Sequence, residues 1–183
     1  MSFEVAFAQL SVLEGGYSDD PNDPGNWTGG AVNAGELKGT QCGISARSYP
    51  TRDIKSLTPA QIKAIYLEDY WDKVGGDILP DVLAVALFKQ AVNVGVFGAI
   101  KALQRAMKVD ADGVLGQISI GTASSHPPKI LLEQFLTECA WSYTQMSAFP
   151  RYGKGWLSRV IQTAVEAQLS TTELTPNSVR EKT

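Results

Sequence analysis

The sequence predicts a mainly α fold of the α+β kind, in which a helical body carries a small irregular or β-hairpin lobe directly after its first helix. Apolar residues recur at helical spacing through most of the chain. Thr58-Pro59-Ala60-Gln61 has the chemistry of a helix capping box. In contrast, the stretch from Glu14 to Ser45, EGGYSDDPNDPGNWTGGAVNAGELKGTQCGIS, is crowded with Gly, Asn, Asp and Pro and poor in the large apolar residues of a core. It reads as an active-site loop region.

Phe3, Phe7, Leu10 and Glu14 share one helical face, so a short first helix is expected to end at Gly15-Gly16. Glu14 then sits in its last turn, against the negative end of the helix dipole, where its charged form is disfavoured. That suits a general acid. In the following stretch, Asn26 to Gly30 and Asn33 to Gly35 are turn-rich and fit a small hairpin. Pro59 at the first helical position opens a helix carrying Ile62, Ile65 and Tyr66, expected to end between Trp71 and Gly75.

The segment LPDVLAVALFKQAVNVG is apolar nearly all round, with Val82, Val85, Ala86, Phe88 and Val92 on several faces, and reads as the central buried helix. Gly95 and Gly98 interrupt the pattern before Ile100, Leu103 and Met107 form another face. DADGVLG is a turn; its Asp110 and Asp112 lack the further ligands of a calcium loop. Amphipathic helices are expected over 129–147 and 152–169, broken at Pro150, with a loose polar tail over 171–183.

Composition narrows the chemistry. A chain of 183 residues with 44% hydrophobic content can bury one sizeable core, with or without an appended lobe. A formal charge of −3, with Arg151, Lys154 and Arg159 as the largest basic cluster, argues against nucleic acid as a partner. The start MSFEVAFAQL has no basic n-region and carries Glu4, and no window reaches the roughly 18 apolar residues of a membrane span. Synthesis in the cytoplasm without a signal peptide, and no membrane insertion, are the expectations. Cys42 and Cys139 are too few for a disulfide framework and read as buried or semi-buried thiols.

His126, in the run SSHPP, is the only histidine and reads as an exposed loop residue. No zinc-hydrolase ligand set is present, so no metal and no cofactor are expected. The sequence also lacks a GxSxG elbow for a serine nucleophile. Carboxylate chemistry is what remains for hydrolysis.

The run Glu14-Gly-Gly-Tyr17, then Asp20-Pro, Asp23-Pro-Gly and Thr40-Gln-Cys-Gly-Ile-Ser, resembles glycoside hydrolase family 108, the bacterial and phage N-acetylmuramidases. Tyr70-Trp71, LFKQAVNVG, LQRAMKVDADGVLG and GWLSRV follow in the family's order, so the resemblance spans nearly the whole chain except the tail. It implies a lysozyme-like fold, a catalytic region over 1–95, and over 96–170 a helical part similar to the family's peptidoglycan-binding region, expected to pack with it into one compact domain. The implied activity is cleavage of the β-1,4 bond between N-acetylmuramic acid and N-acetylglucosamine in peptidoglycan glycan strands. A monomeric phage endolysin that reaches the wall after release by a holin or another export route is the expected setting.

The resemblance implies a catalytic Glu, an Asp nine residues later and a Thr ahead of a Gly-Ile pair: here Glu14, Asp23 and Thr40, with about 27–39 as an inserted loop. Thr28 competes with Thr40, because it keeps the short spacing from Asp23 but lacks the Gly-Ile step. A Gly-rich insert is expected to hold Thr28 loosely. Asp23 is both a natural turn residue and a candidate for activating water, whereas the turn reading prevails for Asp20. Water held between carboxylates implies an inverting mechanism.

Tyr17, Trp27 and Tyr70 offer apolar faces to sugar rings; Trp71, Trp141 and Trp156 read as core anchors. Asn93 either caps the buried helix or faces substrate. Lys89 stands where the family often carries an acidic residue, so the loss of a local salt bridge is expected. A catalytically silent wall- or partner-binding module, and a lytic transglycosylase using Glu14 alone, are the competing readings.

Overall fold

The computed structural model describes residues 3–10 and 15–173, so Glu14 and the end of the expected tail lie outside the described residues. The described chain divides into two compact units, one up to Asp69 and one from Tyr70 onward. As expected, the fold is mainly α with one small sheet.

In the first unit, α1 covers Phe3–Ala8 and ends in a turn at Gln9 and Leu10, short of the expected reach to Glu14. Its buried face, Phe3, Ala6 and Phe7, meets the helix α2, Pro59–Tyr66: the Phe7 and Tyr66 rings lie 5.5 Å apart, and Glu4 pairs with Lys63. The expected capping box opens α2. The Thr58 hydroxyl accepts from the Gln61 amide, and the Gln61 side chain accepts from the Thr58 amide. Such a cap contributes about 1 kcal/mol. The chain then passes into a π-helical turn, Leu67–Trp71.

Between α1 and α2 stand β1, Tyr17–Ser18, β2, Thr40–Gln41, and β3, Ile44–Ser45, antiparallel in the order β1-β2-β3. Cys42 and Gly43 join β2 to β3 with φ values of 50° and 80°, the positive pair that a two-residue hairpin turn requires. Ile44 fills the core below at 1% exposure.

In the second unit, α3, Asp81–Val94, is the central helix, buried without interruption from Leu83 to Ala91. Trp71 is a core anchor, edge-on to Phe88 at 5.5 Å, and its indole N–H donates to Asp77. Helix α4 runs Val96–Ala106, so the break falls at Gly95 alone and Gly98 lies inside the helix. Gln104, at 1% exposure, gathers the DADGVLG turn: its amide donates to Asp112, the Val114 carbonyl and Ser119, and its carbonyl accepts from Gly113. The Val114 amide and Gln104 together hold the Asp112 carboxyl below its usual range.

Helix α5, Gln117–Ser125, was not expected from the sequence. Its buried positions are Ser119 and Ala123, while Ile118 is exposed, so it carries no apolar stripe. His126 follows as its half-buried cap, not as an exposed loop residue, with Nδ1 2.7 Å from the Thr122 carbonyl.

Helix α6, Pro128–Thr144, and helix α7, Phe149–Glu173, meet at residues 145–148, and Pro150 sits in the first turn of α7, where its missing N–H costs nothing. The last helix thus reaches three residues into the expected tail. Tyr143 of α6 stacks on Trp156 of α7 at 5.2 Å and donates its hydroxyl to Gln90 of α3. Trp141, read as a core anchor, is instead 63% exposed. Lys89 has not lost an ion pair: buried in α3, it pairs with Glu166 of α7. Both cysteines are buried and free.

Candidate active site

Sheet register decides what Thr40 faces. Ser18, Thr40 and Ser45 are direct partners across the three strands, so their hydroxyls share one face; Tyr17, Gln41 and Ile44 share the other. Thr40, half-buried on the central strand, thus points away from Ile44 and the core. Its neighbour Gln41 ties the opposite face to the Leu57 carbonyl.

Asp23 begins a 3-10 turn, Pro24–Asn26, and caps it: Oδ1 accepts the Gly25 amide at 2.8 Å. The turn role is therefore realised. It uses one oxygen of an exposed carboxylate, and among the described residues Oδ2 has no hydrogen-bond partner. Asp20 is wholly a turn residue, with Oδ1 accepting from the amide and the side chain of Asn22.

The turn ends in Asn26, which is fully buried and was read from sequence only as part of a turn-rich run. Every polar group of Asn26 is engaged. Its amide donates to the Asp23 carbonyl, its carbonyl accepts from Lys38 and Gly39, and its side-chain NH₂ donates to the Asp20 carbonyl at 3.0 Å. Its side-chain oxygen accepts the Thr40 hydroxyl at 2.7 Å. Asp23 and Thr40 are thus attached to the two ends of one short hydrogen-bonded turn.

Residues 27–37 form a hairpin-like excursion closed by a bridge between Trp27 and Leu37. Thr28 lies within it. Its amide donates to the Glu36 carbonyl and its hydroxyl accepts from the Glu36 amide at 2.9 Å, so the insert is better ordered than its glycines imply. What separates the two threonines is their partners: Thr28 closes its own loop, whereas Thr40 is joined to the turn that Asp23 caps.

Tyr17 lies on the face opposite Thr40 and braces the loop, its hydroxyl donating to the Lys38 carbonyl at 3.2 Å. Its ring covers Gly39, where φ is +79° and a Cβ would stand 2.6 Å from ring carbon. No other residue fits there. Burial first, then the charges of Asp19 and Asp53, push the Tyr17 phenol upward. Trp27 donates its indole N–H to the Pro21 carbonyl, pinning the start of the same loop. Burial likewise raises the Cys42 thiol, which donates to the Gly15 carbonyl, and makes it a poor nucleophile.

The remaining sequence candidates belong to the second unit. Tyr70 is half-buried in the π-helical turn. Asn93 is exposed within α3, and the cap position falls to Gly95, whose amide donates to Ala91; Asn93 is not the cap. Among the described residues, no group of three or more His, Cys, Asp or Glu side chains converges as a metal site, and no helix is long and apolar enough to cross a membrane.

Comparison with known proteins bears on the fold and the family. Residues 7–95 match the family model described as Glycosyl hydrolase 108. The chain is also similar to the solved structure of Brucella abortus SagA, with 29% identity and a TM-score of 0.77 over 91% of this chain and 94% of that one. No curated protein matches the sequence. The mainly α, lysozyme-like organisation expected from the sequence agrees with these similarities. By the match over residues 7–95, just under half of the chain, and the accompanying likeness to SagA, the chain carries a region similar to glycosyl hydrolase family 108, a family of glycoside hydrolases.

Proposed function

We propose that the protein is an N-acetylmuramidase that hydrolyses the β-1,4 bond between N-acetylmuramic acid and N-acetylglucosamine in peptidoglycan. The observation that carries this reading is the attachment of Asp23 and Thr40 to one turn, through Asn26, inside the segment that matches a glycoside-hydrolase family. Glycoside hydrolysis needs an acid for the leaving oxygen and a carboxylate for charge or water. Glu14 is the proposed acid, and the exposed Oδ2 of Asp23 the proposed base. Thr40 is the proposed orienting hydroxyl.

In this mechanism Glu14 protonates the glycosidic oxygen as the bond to the anomeric carbon breaks. Water attacks that carbon and releases its proton to Asp23, so the product carries the inverted configuration. Tyr17, Trp27, Tyr70 and Asn93 remain proposed sugar contacts on residue chemistry alone. Lysis of a host wall by a phage enzyme, after release across the inner membrane by a holin or another route, is the proposed setting.

Incubation with purified peptidoglycan, followed by mass spectrometry and NMR of the fragments, tests the reaction. Reducing N-acetylmuramic ends, first appearing as the α anomer, are expected. Anhydro-muramic ends would mean a lytic transglycosylase, and intact glycan would mean a silent binding module.

The two threonines give a separable test. Thr40→Ala is expected to lower the rate about 100-fold while the protein stays folded. Thr28→Ala should keep most activity and lose about 1 kcal/mol of stability, because it removes only the partner of the Glu36 amide. Turbidity clearing and melting curves of both variants decide it, and a dead Thr28→Ala beside an active Thr40→Ala would reverse the assignment.

A further inference from the structure

We infer that Asn26 is a positioning residue that makes Thr40 a pure hydrogen-bond acceptor toward the attacking water; the inference rests on the muramidase reading above. The geometry leaves little freedom. The Asp20 carbonyl can only accept, so the group of Asn26 facing it must be the NH₂, and the oxygen of the same amide must face Thr40. An oxygen there can only accept, so the Thr40 hydroxyl spends its one proton on Asn26.

Asn26 cannot rotate out of this pattern. Its side chain is fully buried, its amide is held by Asp23, and its carbonyl is held by the amides of Lys38 and Gly39. No described group donates to the Thr40 oxygen, so its lone pairs are what this half-buried hydroxyl presents to a ligand.

The consequence falls on the water. Facing an acceptor at Thr40 and a carboxylate at Asp23, a water molecule gives one hydrogen to each and turns an oxygen lone pair away from both. That lone pair forms the new bond to the anomeric carbon while the glycosidic bond breaks. Its electrons go to the leaving oxygen, which takes the proton of Glu14; the attacking water's proton passes to Asp23. Without Asn26, the Thr40 hydroxyl is free to donate to the water instead and to occupy the lone pair that must attack. Asn26 therefore acts on the orientation of water and not on the binding of glycan.

A double-mutant cycle on the full chain tests this, with kcat and KM measured for release of reducing ends from solubilised peptidoglycan and melting curves taken alongside. Asn26→Ala is expected to lower kcat about 100-fold with KM unchanged. In a Thr40→Val background the same substitution should cost little more, because residues acting through one contact are not additive. Since Asn26→Ala also frees the Asp20 carbonyl, Asn26→Asp is the second variant: assayed at a pH low enough for the buried acid to be protonated, it donates its O–H to the Asp20 carbonyl, keeps a C=O acceptor for Thr40 and should recover most of kcat.

An equal loss in both backgrounds, a loss confined to KM or melting temperature, or an Asn26→Asp variant as slow as Asn26→Ala would overturn the inference alone. A Thr40→Val variant at wild-type rate would overturn the role of Thr40, and that of Asn26 with it. A wild type that releases no reducing ends would overturn the muramidase reading itself.

Discussion

Glu14→Gln folds as the wild type does and loses wall hydrolysis by roughly 100- to 10,000-fold, the range that a general acid supplies. The amide keeps the shape of the carboxyl group but has no proton to give the leaving oxygen at any working pH. Sugar rings bind mainly through apolar faces and hydroxyl contacts, so glycan affinity should change little. The loss is then expected in kcat and not in KM, which marks an interaction made in the transition state. Sedimentation of the variant with intact peptidoglycan, beside release of reducing ends, separates the two. A variant that binds and clears the wall at near-normal rate would remove Glu14 from the mechanism, and one that no longer binds would make it a substrate contact.

What the sequence made legible was local. The capping box at Thr58 was readable because both partners lie within four residues, and α3 because its apolar run admits no exposed face. The burial of Ile44 was readable from the Gly-Ile step, and the ordered backbone of the strand that carries Thr40 just before it follows. Helix α5 escaped because small residues, Ser119 and Ala123, fill its buried face. Asn26 escaped for a different reason: in a run of Asp, Pro and Gly it looks like one more turn residue, and nothing nearby in sequence says that it is fully buried. Its decisive partner, Thr40, lies fourteen residues away across an inserted hairpin. Lys89 shows the same limit, with a partner 77 residues distant.

That pair leads to a stability prediction with an uneven outcome. The Lys89 side chain is only 10% exposed and that of Glu166 28%, so the two ends of the pair differ in what happens when the other is removed. Glu166→Ala strands a cation among the helices, and such uncompensated charges cost about 3 kcal/mol or more. For a chain of this length that is a fall in melting temperature of roughly 6–12 °C. Lys89→Met should cost less, because the carboxylate left behind keeps the Gln162 amide as a partner and reaches water. Replacing both, as Lys89→Met with Glu166→Leu, fills the space with apolar atoms and should return stability to near wild type, since desolvating two charges offsets most of what their attraction gains. Thermal unfolding of the three variants at one pH and salt concentration checks the order. Equal losses from the two single changes, or a double variant weaker than either, would show that α3 and α7 depend on the ion pair itself and not on burial around it.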